Sequence, residues 1–232
     1  LAIPELYRQK TNVPVQIPQL TNVKEVIAGY GHSMVIKNDK TLWVFGYNGY
    51  GMLGIGDNSQ PQTPVQVTSL SNVKTVTSSN QTTIIALEDG SVYACGSNIY
   101  GQLGNGTSTS SPLPVLLSGI SNIQTVASGS CFSFAVADDK TVYGWGHGKY
   151  LGNGLNNLVH KTPELINNFT DVIKISSGDS NTVAVKSDNS VWCWGENQNG
   201  ESNRDHISIY TPQELSVGRY ISDVSAGHST VL

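Results

Sequence analysis

The chain has little charge: Asp, Glu, Lys and Arg together make up 13% of 232 residues, against an abundance of Ser, Thr, Asn, Gln and Gly. Its surface must therefore be polar without being heavily charged, a composition that suits turn-rich β structure. It has no run of Lys or Arg, and a formal net charge of -4, so it lacks the footprint of a protein that grips nucleic acid by neutralising phosphates. It has no apolar stretch near the ~20 residues needed to cross a bilayer as a helix, and residues 1–10 lack the basic-then-apolar order of a signal peptide. It has only three cysteines, Cys95, Cys131 and Cys193, with no Cys-x-x-Cys pair, which removes a zinc knuckle and a disulfide scaffold and predicts packed thiols. The sequons at Asn80, Asn105 and Asn168 are triplets that so Asn-, Ser- and Thr-rich a chain produces by chance.

What the chain does have is a period of about fifty residues. The segments LWVFG, VYACG, VYGWG and VWCWG end at Gly46, Gly96, Gly146 and Gly195. Prolines keep the same step at Pro14, Pro64, Pro114, Pro163 and Pro212, and small-residue segments recur at 26, 76, 126, 175 and 224. Each unit reads as four short strands. The first is the small-residue segment, with pairs such as Ala28-Gly29 and Ser128-Gly129 where backbones crowd together. The second is apolar (MVIK, IIAL, FAVA, VAVK), and the Asp39, Asp89, Asp139 and Asp188 segments that follow are hairpin turns. The third carries Trp43, Tyr93, Tyr143 and Trp192 to fill space between sheets, and the fourth follows the recurring proline, which fits a strand start or an edge because proline cannot donate to the ladder.

Radially arranged four-strand units of this length describe an all-β protein, a β-propeller. No unit holds a helical apolar period, which excludes a helical solenoid. The expected organisation is one propeller domain over 1–232, with units at 26–75, 76–125, 126–174 and 175–223 and partial units at 1–25 and 224–232. That is about four and a half blades, either a compact five-bladed form or part of a seven-bladed ring completed by residues beyond this chain.

The segments NGYGMLGIGDNSQPQTPVQV and NIYGQLGNGTSTSSPLPV, each preceded by LWVFG or VYACG, resemble the repeats of the regulator of chromosome condensation family over residues 11–232. The resemblance implies a propeller, typically seven-bladed, used mainly to bind proteins. Relatives include a nucleotide exchange factor for the small GTPase Ran that also binds chromatin, inhibitors of secreted enzymes, bacterial surface proteins and bacterial effectors acting on host GTPases. The even spacing leaves no room for the inserted wedge that the family's exchange factors use, and the family's strand-end histidine is present only as His32, with Thr82, Phe132, Asn181 and Thr230 in its place elsewhere.

Gly49-Tyr50-Gly51-Met52-Leu53-Gly54 matches the G-x-G-x-x-G dinucleotide fingerprint, but no helix follows and the pattern recurs fifty residues later. It reads as an inter-blade turn, with glycines at positive φ and leucine as a plug. Histidines 32, 147, 160, 206 and 228 fall at different places in their units and form no shared metal geometry, and His32 is expected to bond across its own blade. Ser33, Thr83, Ser133 and Thr182 recur too regularly for a nucleophile and are expected to satisfy local backbone groups. Cys131 has no base placed beside it. No cofactor or metal is expected, and the chain reads as a non-enzyme.

Specificity in a repeat fold lives where loops differ. On one rim the candidates are Tyr30, His32, Asn80, Ser130, Phe132, Asp179 and Asn181. On the loops after the third strand they are Tyr47, Ile99 and Lys149, with Tyr50, Tyr100 and Tyr150 recurring at a step that favours packing. The expected partner is another protein, a small GTPase by the resemblance or an extracellular protein for a secreted or cell-surface bacterial module, with no nucleic acid and no membrane span. The compartment stays open between a cytoplasm, including a host's, and secretion.

Overall fold

The computed structural model describes residues 13–154, 157–196, 208–216, 221, 223–227 and 230–231. Four antiparallel sheets of four strands follow one another along the chain. Blade one is β1 (Val23–Ala28), β2 (His32–Lys37), β3 (Leu42–Gly46) and β4 (Val65–Gln66). Blade two is β5 (Val73–Ser78), β6 (Thr82–Leu87), β7 (Val92–Gly96) and β8 (Ser111–Leu116). Blade three is β9 (Ile123–Ser128), β10 (Phe132–Ala137), β11 (Val142–His147) and β12 (Val159–Leu165). Blade four is β13 (Val172–Ser177), β14 (Asn181–Lys186), β15 (Val191–Gly195) and β16 (Ile209–Leu215), and a short pair, β17 (Ala226–Gly227) and β18 (Thr230–Val231), begins another unit. Residues 13–22 form no strand, so Pro14 does not introduce a fourth strand as the repeat pattern predicts.

The apolar second strands make sense once the blades are stacked. β6 and β10 are buried along their whole length because each face meets a different neighbour. Ile85 joins the cluster shared with blade one, containing Met34 and Val44, while Ile84 and Ala86 join the cluster shared with blade three, containing Ala135 and Trp145. A strand buried on both faces reads as a continuous apolar run and not as an alternation.

The aromatics Trp43, Tyr93, Tyr143 and Trp192 are only half-buried. The positions that fill the seams lie two residues further on, where Trp145 and Trp194 are fully buried. Lys37 and Lys186 lie over the rings of Trp43 and Trp192, which therefore sit toward solvent with cations on their faces.

The recurring proline starts the fourth strand in blade one, where Pro64 precedes β4, and takes the expected edge position inside the strand in the later blades. Pro114, Pro163 and Pro212 lie inside β8, β12 and β16. Each falls where the ladder skips a residue of the neighbouring strand, between Ala94 and Gly96, Gly144 and Gly146, or Cys193 and Gly195. A bulge in the outermost strand has no ladder bond for proline to lose.

The first blade's inner face differs from its equivalents. Val26 is 66% exposed where Val76 is 4% exposed, because every later blade is covered on that face by the one before it. Among the described residues, no hydrogen-bonded strand pair joins β1 to β17 or β18.

Candidate functional site

Register places the two groups of candidate loops on one rim. In each blade the first residue of the second strand pairs with the glycine closing the third, as in His32 with Gly46 and Phe132 with Gly146. The next residue then donates back across the hairpin: Tyr47 N to Gly31 O, Ser97 N to Gln81 O, His147 N to Cys131 O and Glu196 N to Ser180 O, all 2.8–2.9 Å. The opposite rim is made of the aspartate turns. There Asp39, Asp89, Asp139 and Asp188 accept from the backbone and hydroxyl of Thr41, Ser91, Thr141 and Ser190, and these bonds hold all four carboxyls below their usual range.

The glycine loop is an inter-blade clamp, and its amides are occupied. Gly51 N donates to Asn48 O at 3.0 Å, Gly54 N to Gly51 O at 3.1 Å, and Gly56 N to Pro112 O of the next blade at 2.9 Å. Gly106 N and Gly154 N repeat that last bond to Lys161 O and Tyr210 O. A β-carbon on Gly51 would meet the Pro112 Cα at 2.6 Å, and φ there is +77°, so both the close approach and the backbone require glycine. Leu53, Leu103 and Leu151 are buried as the plugs.

Two contributors to the clamp escape the sequence reading. Asn48 and Asn98 are fully buried and accept from Leu53 N and Leu103 N at 2.9 Å. Their recurrence five residues before Leu53 and Leu103 was the available signal. The carbonyls of Gln102 and Tyr150 accept from the Trp145 and Trp194 indoles of the following blade at 2.8 and 3.0 Å, and Cys95 Sγ approaches Met52 O at 3.4 Å.

Three candidates are buried. His32, Phe132 and Asn181 turn into the blades at the start of their strands and do not present their side chains to a partner. His32 makes its side-chain to side-chain hydrogen bond to the next blade and not across its own. Its Nε2 lies 2.7 Å from Ser78 Oγ of blade two, and burial pulls its pKa below the usual value, opposed by a hydrogen bond to the Tyr30 backbone. The recurring hydroxyls also differ from expectation. Thr83 and Thr182 bond to Ser78 and Ser177 hydroxyls, and Ser133 Oγ donates to Gln102 O of the preceding blade.

The others form the rim surface. Tyr30 is 72% exposed and Ile99 is 66% exposed, with Tyr47, Tyr50 and Tyr100 also open. Tyr47 and Tyr50 meet edge-on at 6.4 Å. Lys149 Nζ bonds Glu196 Oε1 at 2.6 Å, which raises the lysine pKa, and lies 5.2 Å from the centre of the Tyr150 ring. Tyr150 is a packing residue, stacked on Phe132 at 5.3 Å, so the recurring tyrosines divide into one that is packed and two that are open. Asn80 Nδ2 donates to Asp179 Oδ2 at 3.3 Å across the axis, and Ser130 N donates to Asp179 O at 3.0 Å.

Cys131 is half-buried, and its thiol is pushed up to about 12, chiefly by burial with Glu196 adding. Burial thus disfavours its thiolate, the nucleophilic form. His160 Nδ1 pairs with Glu164 Oε2 at 2.8 Å. Among the described residues, no three His, Cys, Asp or Glu side chains gather as a metal site, and no helix is long and apolar enough to cross a membrane. His206 and His228, and most of the fourth glycine loop, lie outside the described residues.

The fifty-residue period coincides with one family's models. The regulator of chromosome condensation (RCC1) repeat matches residues 39–86, 89–136 and 139–185, and a second model of the same repeat matches 23–51, 73–102, 123–150 and 172–201. The chain belongs to the RCC1 repeat family. Among solved structures, human WBSCR16 superposes with a TM-score of 0.81 at 22% identity, covering 88% of this chain and 56% of that one. Prp20p of Saccharomyces cerevisiae, described with its binding to Gsp1p and histones, gives 0.82 at 18% identity, covering 92% and 56%. Yeast RCC1 (Prp20) bound to Kap60 gives 0.76 at 20%, covering 88% and 52%. At these identities the likeness shows the fold, and this chain spans little more than half the length of those proteins. Comparison with curated protein sequences gives no significant match.

Proposed function

We propose that this RCC1-repeat propeller is a non-enzymatic binding module whose rim, carrying the β1–β2 type loops and the loops after each third strand, holds another protein. The observation that carries the reading is the gathering of Tyr30, Tyr47, Tyr50, Ile99 and Tyr100 as open side chains on one rim, opposite a rim of self-satisfied aspartate turns. Exposed aromatic and isolated apolar side chains on a rigid frame are hot-spot material. Among the described residues of that rim, no base, nucleophile and oxyanion donors converge in a catalytic arrangement.

The partner class we favour is a small GTPase. The similarity of the fold to Prp20p, a protein studied with Gsp1p, supports it as an analogy. The test is release of a fluorescent GDP analogue from a panel of purified small GTPases, with and without the propeller. Acceleration or inhibition for at least one member, lost in a Tyr30→Ala, Ile99→Ser double variant, is the expected result. Unchanged release across the panel overturns the GTPase reading. An effect untouched by the double variant overturns the assignment of the rim.

A further inference from the structure

At the seam between blades three and four a hollow of about 350 Å³ opens beside the glycine-loop clamp. Asn153 of that loop, Thr211 of β16, and Asn167 and Asn168 of the turn after β12 line it, together with Phe169 and Trp192. None of the open rim side chains named above belongs to this lining. Phe169 is buried and meets the Trp192 ring edge-on at 5.7 Å, while Trp192 stays half-buried.

The repeat shows what this place holds when it is only a seam. Between blades one and two the equivalent positions are Ile55, which like Asn153 follows the glycine after a plug leucine, and Leu113, which like Thr211 precedes the strand proline. Leu70 stands where Phe169 does. Ile55 and Leu70 pack into the core cluster there, and Leu113 borders Gly56 as Thr211 borders Gly154. At the later seam an amide and a hydroxyl replace the two aliphatic side chains, and two large rings border the space between them.

The lining carries amides, a hydroxyl and aromatic rings but no charged side chain. The Asn167 and Asn168 side chains have no hydrogen-bond partner among the described residues, so each offers two donors and an acceptor side by side. Thr211 Oγ1 accepts from Gln213 Nε2 at 3.2 Å and keeps its own proton to donate. The neighbouring cation, Lys186, already lies 4.6 Å from the centres of both rings, which disfavours a second cation there. A ligand that matches such a surface is neutral, has a face of C–H groups for the rings, and carries hydroxyls around its edge.

We propose that this hollow binds a single neutral pyranose ring, independently of the rim. Its volume admits one such ring with room for water.

The test uses the full chain, ¹⁵N-labelled, with the tryptophan indole signals as reporters. Trp43 is the internal control. Its ring also lies under a lysine, and its indole donates to Thr41 Oγ1 at 3.0 Å as that of Trp192 does to Ser190 Oγ at 2.8 Å, but Trp43 does not line the hollow. Methyl glycosides of glucose, galactose, mannose and N-acetylglucosamine are titrated in, with sorbitol as an acyclic comparison and methyl glucuronide as an anionic one. At least one glycoside should saturate the Trp192 shift with a Kd of about 1 mM, the affinity a ligand of this size reaches at ordinary efficiency, while Trp43 does not move. Sorbitol and the glucuronide should bind at least about tenfold more weakly, as should the favoured glycoside to two double variants. Asn167→Ala with Asn168→Gly removes both amides at exposed turn positions, glycine suiting the φ of +60° at 168. Asn153→Ile with Thr211→Leu installs the residues of the first seam and fills the hollow, and thermal melts check that both variants fold.

No saturable shift for any of the glycosides, or an equal shift at Trp43, overturns the proposal. Equal binding of sorbitol or the glucuronide does so too. A glycoside that binds both double variants with unchanged affinity also overturns it, and each of these outcomes leaves protein binding by the rim standing.

Discussion

Leu103→Ala tests whether the glycine loop is the seam of the propeller. Leu103 is fully buried between blades two and three, in a cluster with Ile84, Leu117, Ile123 and Trp145. Its surroundings resist collapse. The neighbouring Gly104 lies against the Trp145 indole, which is fixed by its bond to Gln102 O, and the loop is anchored through Leu103 N to Asn98. Losing the transfer energy of the removed carbons and leaving a cavity places the effect at about 3–4 kcal/mol, within the usual range for buried leucine truncation. With a urea slope of roughly 2 kcal/mol/M, the unfolding midpoint should fall by about 1.5–2 M, read from tryptophan fluorescence. Leu113→Ala, at a half-exposed position, is the control and should move the midpoint by less than about 0.3 M. Equal, small shifts for the two variants would show that the loop merely covers the seam, and the reasoning would fail.

Trp145→Phe keeps most of the packing but removes the donor to Gln102 O, so thermal melting should show a loss of about 1–2 kcal/mol. Val76→Ala should cost about 1.5 kcal/mol from two lost carbons, while Val26→Ala at the open face of blade one should stay within ~0.5 kcal/mol; equal effects in urea unfolding would refute the difference in cover. The aspartate turns have folded pKa values below the unfolded ones. Their stabilisation is present above the unfolded carboxyl range and disappears as pH falls through the folded values, so Asp139→Ala should flatten the acid limb of a stability–pH curve. His32 is also depressed, by burial. Its neutral form belongs to the fold, so stability is complete above its unfolded pKa near 6.5 and declines as pH falls below it; His32→Gln should remove that decline, measured as midpoints at pH 7.5 and 5.5.

The repeat, the four-strand blades and the plug leucines were legible because each rests on a local pattern recurring at a fixed step. The burial of both faces of β6 and β10 could be read from IIAL and FAVA. What could not be read was which of two neighbouring aromatics faces the seam. Strand alternation gives Tyr143 and Trp145 the same face of the sheet, and only the approach of the preceding blade's loop near Gly104 buries one and leaves the other half-open. The proline could be read as a strand start or an edge but not as a bulge, for a related reason: a bulge is defined by the partner strand. At the rim, exposure separated the candidates. His32, Phe132 and Asn181 stand in series with variable positions, yet they vary because each fits its own seam, with Ser78 beside His32 and Tyr150 stacked on Phe132.

The bonds from Trp145 and Trp194 end on main-chain oxygens, those of Gln102 and Tyr150. A carbonyl is supplied by any residue type, so the accepting side of each seam is indifferent to substitution, and the positions there already hold Met52, Gln102 and Tyr150. Only the donor side is chemically restricted, and in blade one Phe45 has no N–H or S–H to offer. Successive units can therefore drift apart in side chains while staying joined, which frees the rim loops a few residues away to acquire different surfaces without altering how the blades dock.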